Sequence, residues 1–291
     1  MEKIKNYLNL IAQHYPELVI EQSRLHTTEG QFNDIVLINE SLLFRFPRSA
    51  EVAGGYAPQA ALLDFLAKRL PLPIPEILYT HLEAVDWREK FLGYRLIQGK
   101  PLFRQELQAI EDELALRQMA GQLAGFLRAL HQIPPASLPA ALPVQDEAGF
   151  WEDFFRGVRR DLFPHMRPDA RREVDAYFER YDSQPELNRF QPALRHGDFG
   201  GSNILYDPQT LRISGIIDFE SLGVGDPAAD AAGLMTYGEA FFEMCVEAYP
   251  ELGDMRARAL FHRGTFALQE AWYGFQMGDE EAFQSGMADY L

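Results

Sequence analysis

Three oxygen-bearing side chains stand out for their spacing: Asp198, Asn203 five residues later, and Asp218 just after an apolar run. They belong to the stretches His196-Gly197-Asp198-Phe199-Gly200-Gly201-Ser202-Asn203 and Ile216-Ile217-Asp218-Phe219-Glu220. Between them, Asn203 to Tyr206 and Ile213 to Ile217 are short apolar runs separated by Asp207-Pro208, which read as a hairpin. Loops bracketing a hairpin can bring the three side chains to one point. Asn203 and Asp218 offer the hard oxygens that Mg²⁺ takes, with coordination positions left over for phosphates. Asp198 is placed to accept a proton from an attacking hydroxyl. A metal to neutralise developing charge and a carboxylate to orient a nucleophile are what phosphoryl transfer requires. The glycines at 197, 200 and 201 permit the tight backbone of such a loop. The plain structural reading is a Gly- and Asp-rich turn with capping roles, but the offset of Asn203 and the downstream Asp218-Phe219 pair argue against it. His196 reads as a hydrogen-bonding brace of the loop rather than as a base.

Other elements must hold those loops in place. Residues 17–47 read as strands, with Ile35 to Ile38 and Leu42 to Phe46 joined by a tight turn at Asn39-Glu40. Thr27 to Gln31, polar with one glycine, reads as the loop of a preceding hairpin. The spacing of Ala61, Leu62, Phe65, Leu66 and Leu70 predicts a helix over 57–69, stopped by Pro71, Pro73 and Pro75. Phe91 to Ile97 reads as a strand and Gln98 to Pro101 as a linker. The first 95 or so residues therefore predict a small sheet with one long helix, preceded by an amphipathic helix at the start of the chain. From Phe103 the period turns helical, with Leu116, Met119, Leu123, Phe126, Leu127 and Leu130 three or four apart. Pro134 to Pro143 interrupts it, helices resume from about Phe150 to Asp182, and helices fill the chain after the hairpin. A sheet-rich first third and a helical remainder predict an α+β fold with two unequal lobes, residues 1–97 and 98–291.

Composition narrows the class of partner. With 47% hydrophobic and 24% charged residues the chain has the balance of a folded globular protein. Its single cysteine, Cys245, excludes an intrachain disulfide and a cysteine-rich metal site, and suits a reducing compartment. No stretch approaches the roughly 20 uninterrupted apolar residues of a membrane span, and Glu2, Asn6 and Asn9 interrupt the apolar pattern of the first helix, so a cytoplasmic location with no membrane partner is expected. A net charge of −16 argues against nucleic acid, whose phosphates would be repelled. The charge is uneven. Residues 201–291 hold 15 acids against 4 arginines and no lysine. Such a segment is either a solvated acidic surface or a wall tuned to attract a cation, and composition does not choose between them.

These motifs resemble the aminoglycoside phosphotransferase family, antibiotic kinases that share the protein-kinase fold. The resemblance runs through nearly the whole chain: LLFRFPR is similar to the family's third strand, LPLPIPEIL to the segment after the first-lobe helix, and FLGYRLIQGKPL to the interlobe hinge. HGDFGGSNILYD, GIIDFESLGVGDPAAD and Tyr237-Gly238-Glu239 continue it, with Asp-Phe-Glu where protein kinases have Asp-Phe-Gly. The branch that modifies the 2″ hydroxyl is the nearest. The resemblance implies a bilobal kinase-like fold in which Asp198 is the base and Asn203 with Asp218 hold Mg²⁺. It implies a hinge at Tyr94, Arg95 and Ile97 that bonds the nucleobase of ATP or GTP, and a Thr28 and Gly30 loop over the phosphates. Two positions depart from the kinase pattern. Arg45 stands where a phosphate-contacting lysine is usual, and its glutamate partner is replaced by Gln59, unless Glu51 substitutes. Arg45 is otherwise a structural strand residue.

In the family, acids of the C-terminal helices surround a cationic substrate. Here Glu239, Glu243 and Glu247 recur every four residues, a spacing at which like charges destabilise an isolated helix. That pattern is either a cation-binding face or a solvated one. Glu270, Trp272 and Tyr273 offer a further acid and a stacking surface, with Trp272 alternatively a core residue. Asp226 before Pro227 reads as a helix N-cap, and Asp230 as structural or functional alike. The leading expectation is a monomeric kinase for an aminoglycoside, a small cationic substrate. The alternatives are a metabolic kinase for choline, homoserine, a sugar or a macrolide, and a catalytically inert kinase fold that binds nucleotide.

Overall fold

A computed structural model describes residues 2–26, 32–142 and 144–291. The chain divides into two compact units. One comprises Met1–Lys100, Ala136–Ala141 and Leu205–Ile217, the other Pro101–Pro135, Leu142–Ile204 and Asp218–Leu291.

The first unit opens with helix α1 (Glu2–His14), followed by strands β1 (Ser23–His26), β2 (Asn33–Ile38) and β3 (Leu42–Pro47). Short α2 (Ala50–Gly54), α3 (Tyr56–Ala67), β4 (Ile77–His81) and β5 (Phe91–Arg95) complete an antiparallel sheet in the order β1-β2-β3-β5-β4. The turn between β2 and β3 holds Asn39 and Glu40 at φ of 51° and 52°, the left-handed pair that a tight hairpin demands. Asn39 suits it doubly, because its Oδ1 accepts the N–H groups of Glu21 and Gln22 and so anchors the chain entering β1. One face of the sheet buries Val36, Ile38, Phe44, Phe46 and Phe91 beneath Ile11 of α1. The helix expected over 57–69 is α3, and β4 arises in a segment where no strand was expected. Its five residues start just past Pro75 and Glu76 and are too short to show a period, so pairing with β5 decides their conformation.

In the second unit, α4 (Arg104–Gln108) leads into α5 (Glu113–His131), whose first turn is capped by Asp112 through the N–H groups of Leu114 and Ala115. Helices α6 (Glu147–Gly157, capped by Asp146), α7 (Pro168–Ser183) and α8 (Pro185–Asn188) follow, α6 running into a π-helical turn at Val158–Leu162. Later come α9 (Ala228–Met235), α10 (Glu239–Ala248), α11 (Glu251–Asp254), α12 (Arg256–Met277) and α13 (Glu280–Met287). Their core gathers Trp151, Phe154, Phe155, Phe178, Tyr181 and Phe261 with aliphatic neighbours. Five further short strands complete the chain. A two-residue strand β6 (Lys100–Pro101) precedes β7 (Ala193–Arg195), which pairs antiparallel with β10 (Gly223–Gly225), while β8 (Ile204–Asp207) and β9 (Arg212–Ile216), falling almost wholly in the first unit, form the hairpin expected from the sequence. The β7–β10 pairing was not expected, each strand having only three residues.

Candidate active site

The loop carrying Asp198 is pinned from behind. Asp230, fully buried in α9, accepts the backbone N–H of His196 at 2.8 Å and that of Gly197 at 2.8 Å. Its Oδ2 also meets His131 Nε2 of α5 at 3.1 Å. Burial by itself would raise this carboxyl, yet the His131 contact and the backbone donors hold it below the usual carboxylate range. Gly197 sits at φ +83°, and a Cβ there would lie 2.3 Å from the Ser221 carbonyl oxygen, so only glycine fits. The buried His196 ring lies against Phe199 and Phe219, while its Nδ1 faces the N–H of Asp198 at 3.3 Å. Phe199 in turn stacks on Phe126 of α5. His196 therefore braces the loop, as the sequence suggested.

Asp198 itself is exposed, and Asn203 orients it. The Asn203 Nδ2 donates both to Asp198 Oδ2 at 2.8 Å and to its carbonyl oxygen at 2.9 Å. Among the described residues Asp198 Oδ1 keeps no protein partner. The same bonds commit the Asn203 amide nitrogen, which leaves its Oδ1 as an oxygen donor. Asp218 holds a left-handed backbone, φ 62°, a conformation that aspartate adopts more readily than most non-glycine residues. Among the described residues no three His, Cys, Asp or Glu side chains form a metal cage. A cation here would rely on one amide oxygen, one carboxylate and oxygens of a bound ligand, which suits Mg²⁺ at a phosphate.

A pocket of about 560 Å³ opens beside this loop, within the second unit, lined by Asp198, Gly200 and Gly201 on one side. Such a volume lies within the range of small-molecule sites. Its other walls are Gln145, Glu147 and Phe150 from the start of α6, Arg195 of β7, and Phe266 and Gln269 of α12. Glu147 and Arg195 are buried, and Glu147 Oε1 accepts the Asp226 N–H at 3.2 Å and faces Arg195 Nη2 at 3.5 Å. Asp226 accepts the N–H of Ala228 at 3.0 Å from one residue before Pro227, which holds the N-cap position expected for Asp226, and is gripped by Arg258 Nε at 2.9 and 3.1 Å. No motif marked Glu147, Gln145 or Gln269. Arg195 had one signal, its place directly before His196-Gly197-Asp198.

The acids nominated for substrate lie elsewhere. Glu239 and Glu243, both exposed on α10, are each bound by Arg256, and Glu247 pairs with Arg117 at 2.7 Å. Glu270 is exposed on α12 and is not a wall of the pocket. Trp272 requires a correction as a stacking surface. Its ring packs edge-on against Phe154 in the helical core, with its indole N–H donated to Asp161 Oδ2 at 2.9 Å.

Of the residues nominated for nucleotide, Thr28 and Gly30 lie outside the described residues. Arg45 is half-buried on β3, opposite Ile35 and Leu92. It lies close enough to Tyr56 to counter the rise that burial imposes on that hydroxyl. Gln59 is half-buried on α3 and Glu51 exposed on α2. Tyr94 and Arg95 end β5, and the next N–H, of Leu96, donates to the Ser41 carbonyl at 2.8 Å. Ile97 packs over Gly215, where a Cβ would come within 2.7 Å of it.

Residues 27–264 match the phosphotransferase enzyme family. A viomycin phosphotransferase of Streptomyces vinaceus is 31% identical over 301 residues, covering all of both chains. This chain belongs to that phosphotransferase family. Two solved phosphotransferase structures carry the same fold. A GDP and kanamycin complex of APH(2″)-IIIa superposes with a TM-score of 0.86 at 24% identity, covering 97% of this chain and 96% of the other. A streptomycin and ATP complex of APH(2″)-IIa gives 0.70 at 20% identity, with 99% and 94% covered. The α+β, kinase-like architecture expected from the sequence is thus the fold of this phosphotransferase: an antiparallel sheet in one unit and helices through most of the other.

Proposed function

We propose that this phosphotransferase moves the γ-phosphoryl group of ATP or GTP onto a hydroxyl of an aminoglycoside or similar antibiotic, with Asp198 as the base. The observation that carries the reading is Asp198 itself: a carboxylate with one oxygen held by Asn203 Nδ2 and the other without a partner among the described residues, on the wall of a pocket of suitable size. Asp198 Oδ1 would accept the proton of an acceptor hydroxyl and aim its oxygen at the phosphorus, while Asn203 keeps the carboxylate from rotating away. Asp230 and His196 hold the loop so that this aim is set before the acceptor arrives. Asn203 Oδ1 and Asp218 would hold Mg²⁺, which when bound neutralises charge on the phosphates. Tyr94, Arg95 and Ile97 would meet the nucleobase, Thr28 and Gly30 the phosphates, and Arg45 would grip a phosphate where a lysine is usual. The GDP and ATP in the solved relatives' complexes support either nucleotide as donor. Viomycin, kanamycin and streptomycin, named with those relatives, are the first acceptors to offer.

The test is nucleotide turnover with each acceptor in turn, by wild type and by Asp198→Asn. Turnover is expected to fall at least about 100-fold in the variant, with nucleotide affinity within a few-fold of normal. A variant that keeps near-normal turnover would remove Asp198 from the mechanism. Phosphorylation of choline, homoserine or a neutral sugar, and of none of the antibiotics, would replace the acceptor class.

A further inference from the structure

We propose that Glu147 is the specificity carboxylate of the acceptor pocket, reading a protonated amine on the substrate. The proposal rests on the reading above, that the pocket beside Asp198 receives the acceptor. Glu147 is 7% exposed, yet it lines the same pocket as the candidate base. Its neutralisation within the protein is partial. Arg195 touches it only at 3.5 Å, because the same Nη2 closes instead on Gln145 Oε1. Among the described residues the Arg195 Nε finds no hydrogen-bond partner, lying against Gly225, where a Cβ would come within 2.7 Å of it. Glu147 Oε1 is used by the Asp226 N–H and Arg195, and among the described residues Oε2 has no protein partner.

A buried Glu–Arg pair is often no more stabilising than an apolar pair of similar volume, so its presence on a pocket wall points to a ligand rather than to stability. Low local dielectric makes a charge contact at Glu147 stronger than one at the surface. Glu239 and Glu243 contrast on both counts. They are 68% and 51% exposed, and Arg256 already neutralises them, the regime in which ion pairs contribute little. The pocket's rim adds a second attraction. Phe150 and Phe266, both partly exposed, are aromatic walls of the same pocket, and aromatic rings attract cations.

Calorimetric binding of kanamycin and of its N-acetylated derivative to the full chain, with and without turnover assays, tests this separately from catalysis. Glu147→Gln keeps an oxygen for the Asp226 N–H and removes the charge. It is expected to weaken kanamycin binding about 10- to 100-fold, to leave the acetylated compound's weak binding unchanged, and to raise the acceptor KM far more than it lowers kcat. Glu243→Gln should change binding by less than about threefold. If Glu147→Gln does not fold, Glu147→Asp supplies the test, since it keeps the charge beside Arg195 and draws it back by one methylene; kanamycin binding should then weaken at least about threefold, with the acetylated compound unchanged. Unchanged kanamycin affinity in a folded variant overturns the proposal, as does equal weakening for both compounds or a failure of wild type to bind any amine. Binding that depends on Glu147 without phosphoryl transfer upholds it and overturns the proposed reaction instead.

Discussion

Replacing Gly233 by alanine would push a methyl group of α9 into the backbone of the loop that carries Asp198. An ideal Cβ at this position lies 1.9 Å from the Phe199 carbonyl oxygen and 2.8 Å from its carbonyl carbon. A carbon and a carbonyl oxygen tolerate about 3.3 Å, so something must yield by about 1.4 Å. The obstacle is main chain, flanked by Asp198 and by a phenylalanine packed on Phe126, and no side-chain rotation relieves it. Two effects then compete. Alanine favours a helix over glycine by about 1 kcal/mol, while overpacking a tight interior costs about 1–3 kcal/mol. Net stability should therefore fall by no more than about 2 kcal/mol, and the protein should fold. Catalysis should suffer more. Displacing a positioned base by about an ångström costs on the order of 100-fold in rate. The assay is kcat, acceptor KM and nucleotide KM beside a urea melt, with Gly125→Ala as control, because a Cβ at Gly125 meets nothing within 4 Å. The control should gain up to about 1 kcal/mol and keep its activity. A Gly233→Ala enzyme with kcat within about threefold of wild type would refute the argument that α9 sets the position of Asp198.

Two further outcomes are expected. Asp218→Ala should lose Mg²⁺-dependent nucleotide binding more severely than Asn203→Ala, because removing a charged ligand costs more than removing a neutral one; nucleotide titration with and without the metal checks it, and equal, metal-independent binding in both would count against the assignment. The carboxyl of Asp230 is held below its usual range in the folded protein, so the stability it contributes is fully present above about pH 4 and is lost as pH falls through its lower folded value. Thermal melts between about pH 3 and 7 should show Asp230→Asn less stable at neutral pH and flatter toward acid than wild type, and parallel curves for the two proteins would contradict that account.

The residues of the proposed catalytic centre could be picked out along the chain because they are local. Asp198 and Asn203 are five residues apart, and the hydrogen bond between them closes within one loop. A short hairpin carries the chain on to Asp218, and the strand, turn and proline signals that frame it act over a few residues. Helical periods placed α3 and α5 for the same reason, since each buries a stripe read from neighbouring turns. The pocket proposed for the acceptor was not legible. Its walls come from residue 145, residue 195 and residue 269, and no local rule relates such distant positions. The recurrence of Glu239, Glu243 and Glu247 suggested a cation site because sequence alone cannot place Arg256, 13 residues beyond Glu243, or Arg117, 130 residues before Glu247. Trp272 had the composition of a stacking surface, and packing against Phe154 turned it inward. Glu147 carried no signal at all, being one acid after a helix cap. Burial gives a carboxylate its electrostatic strength, and burial is decided only when α6, β7 and α12 come together around it.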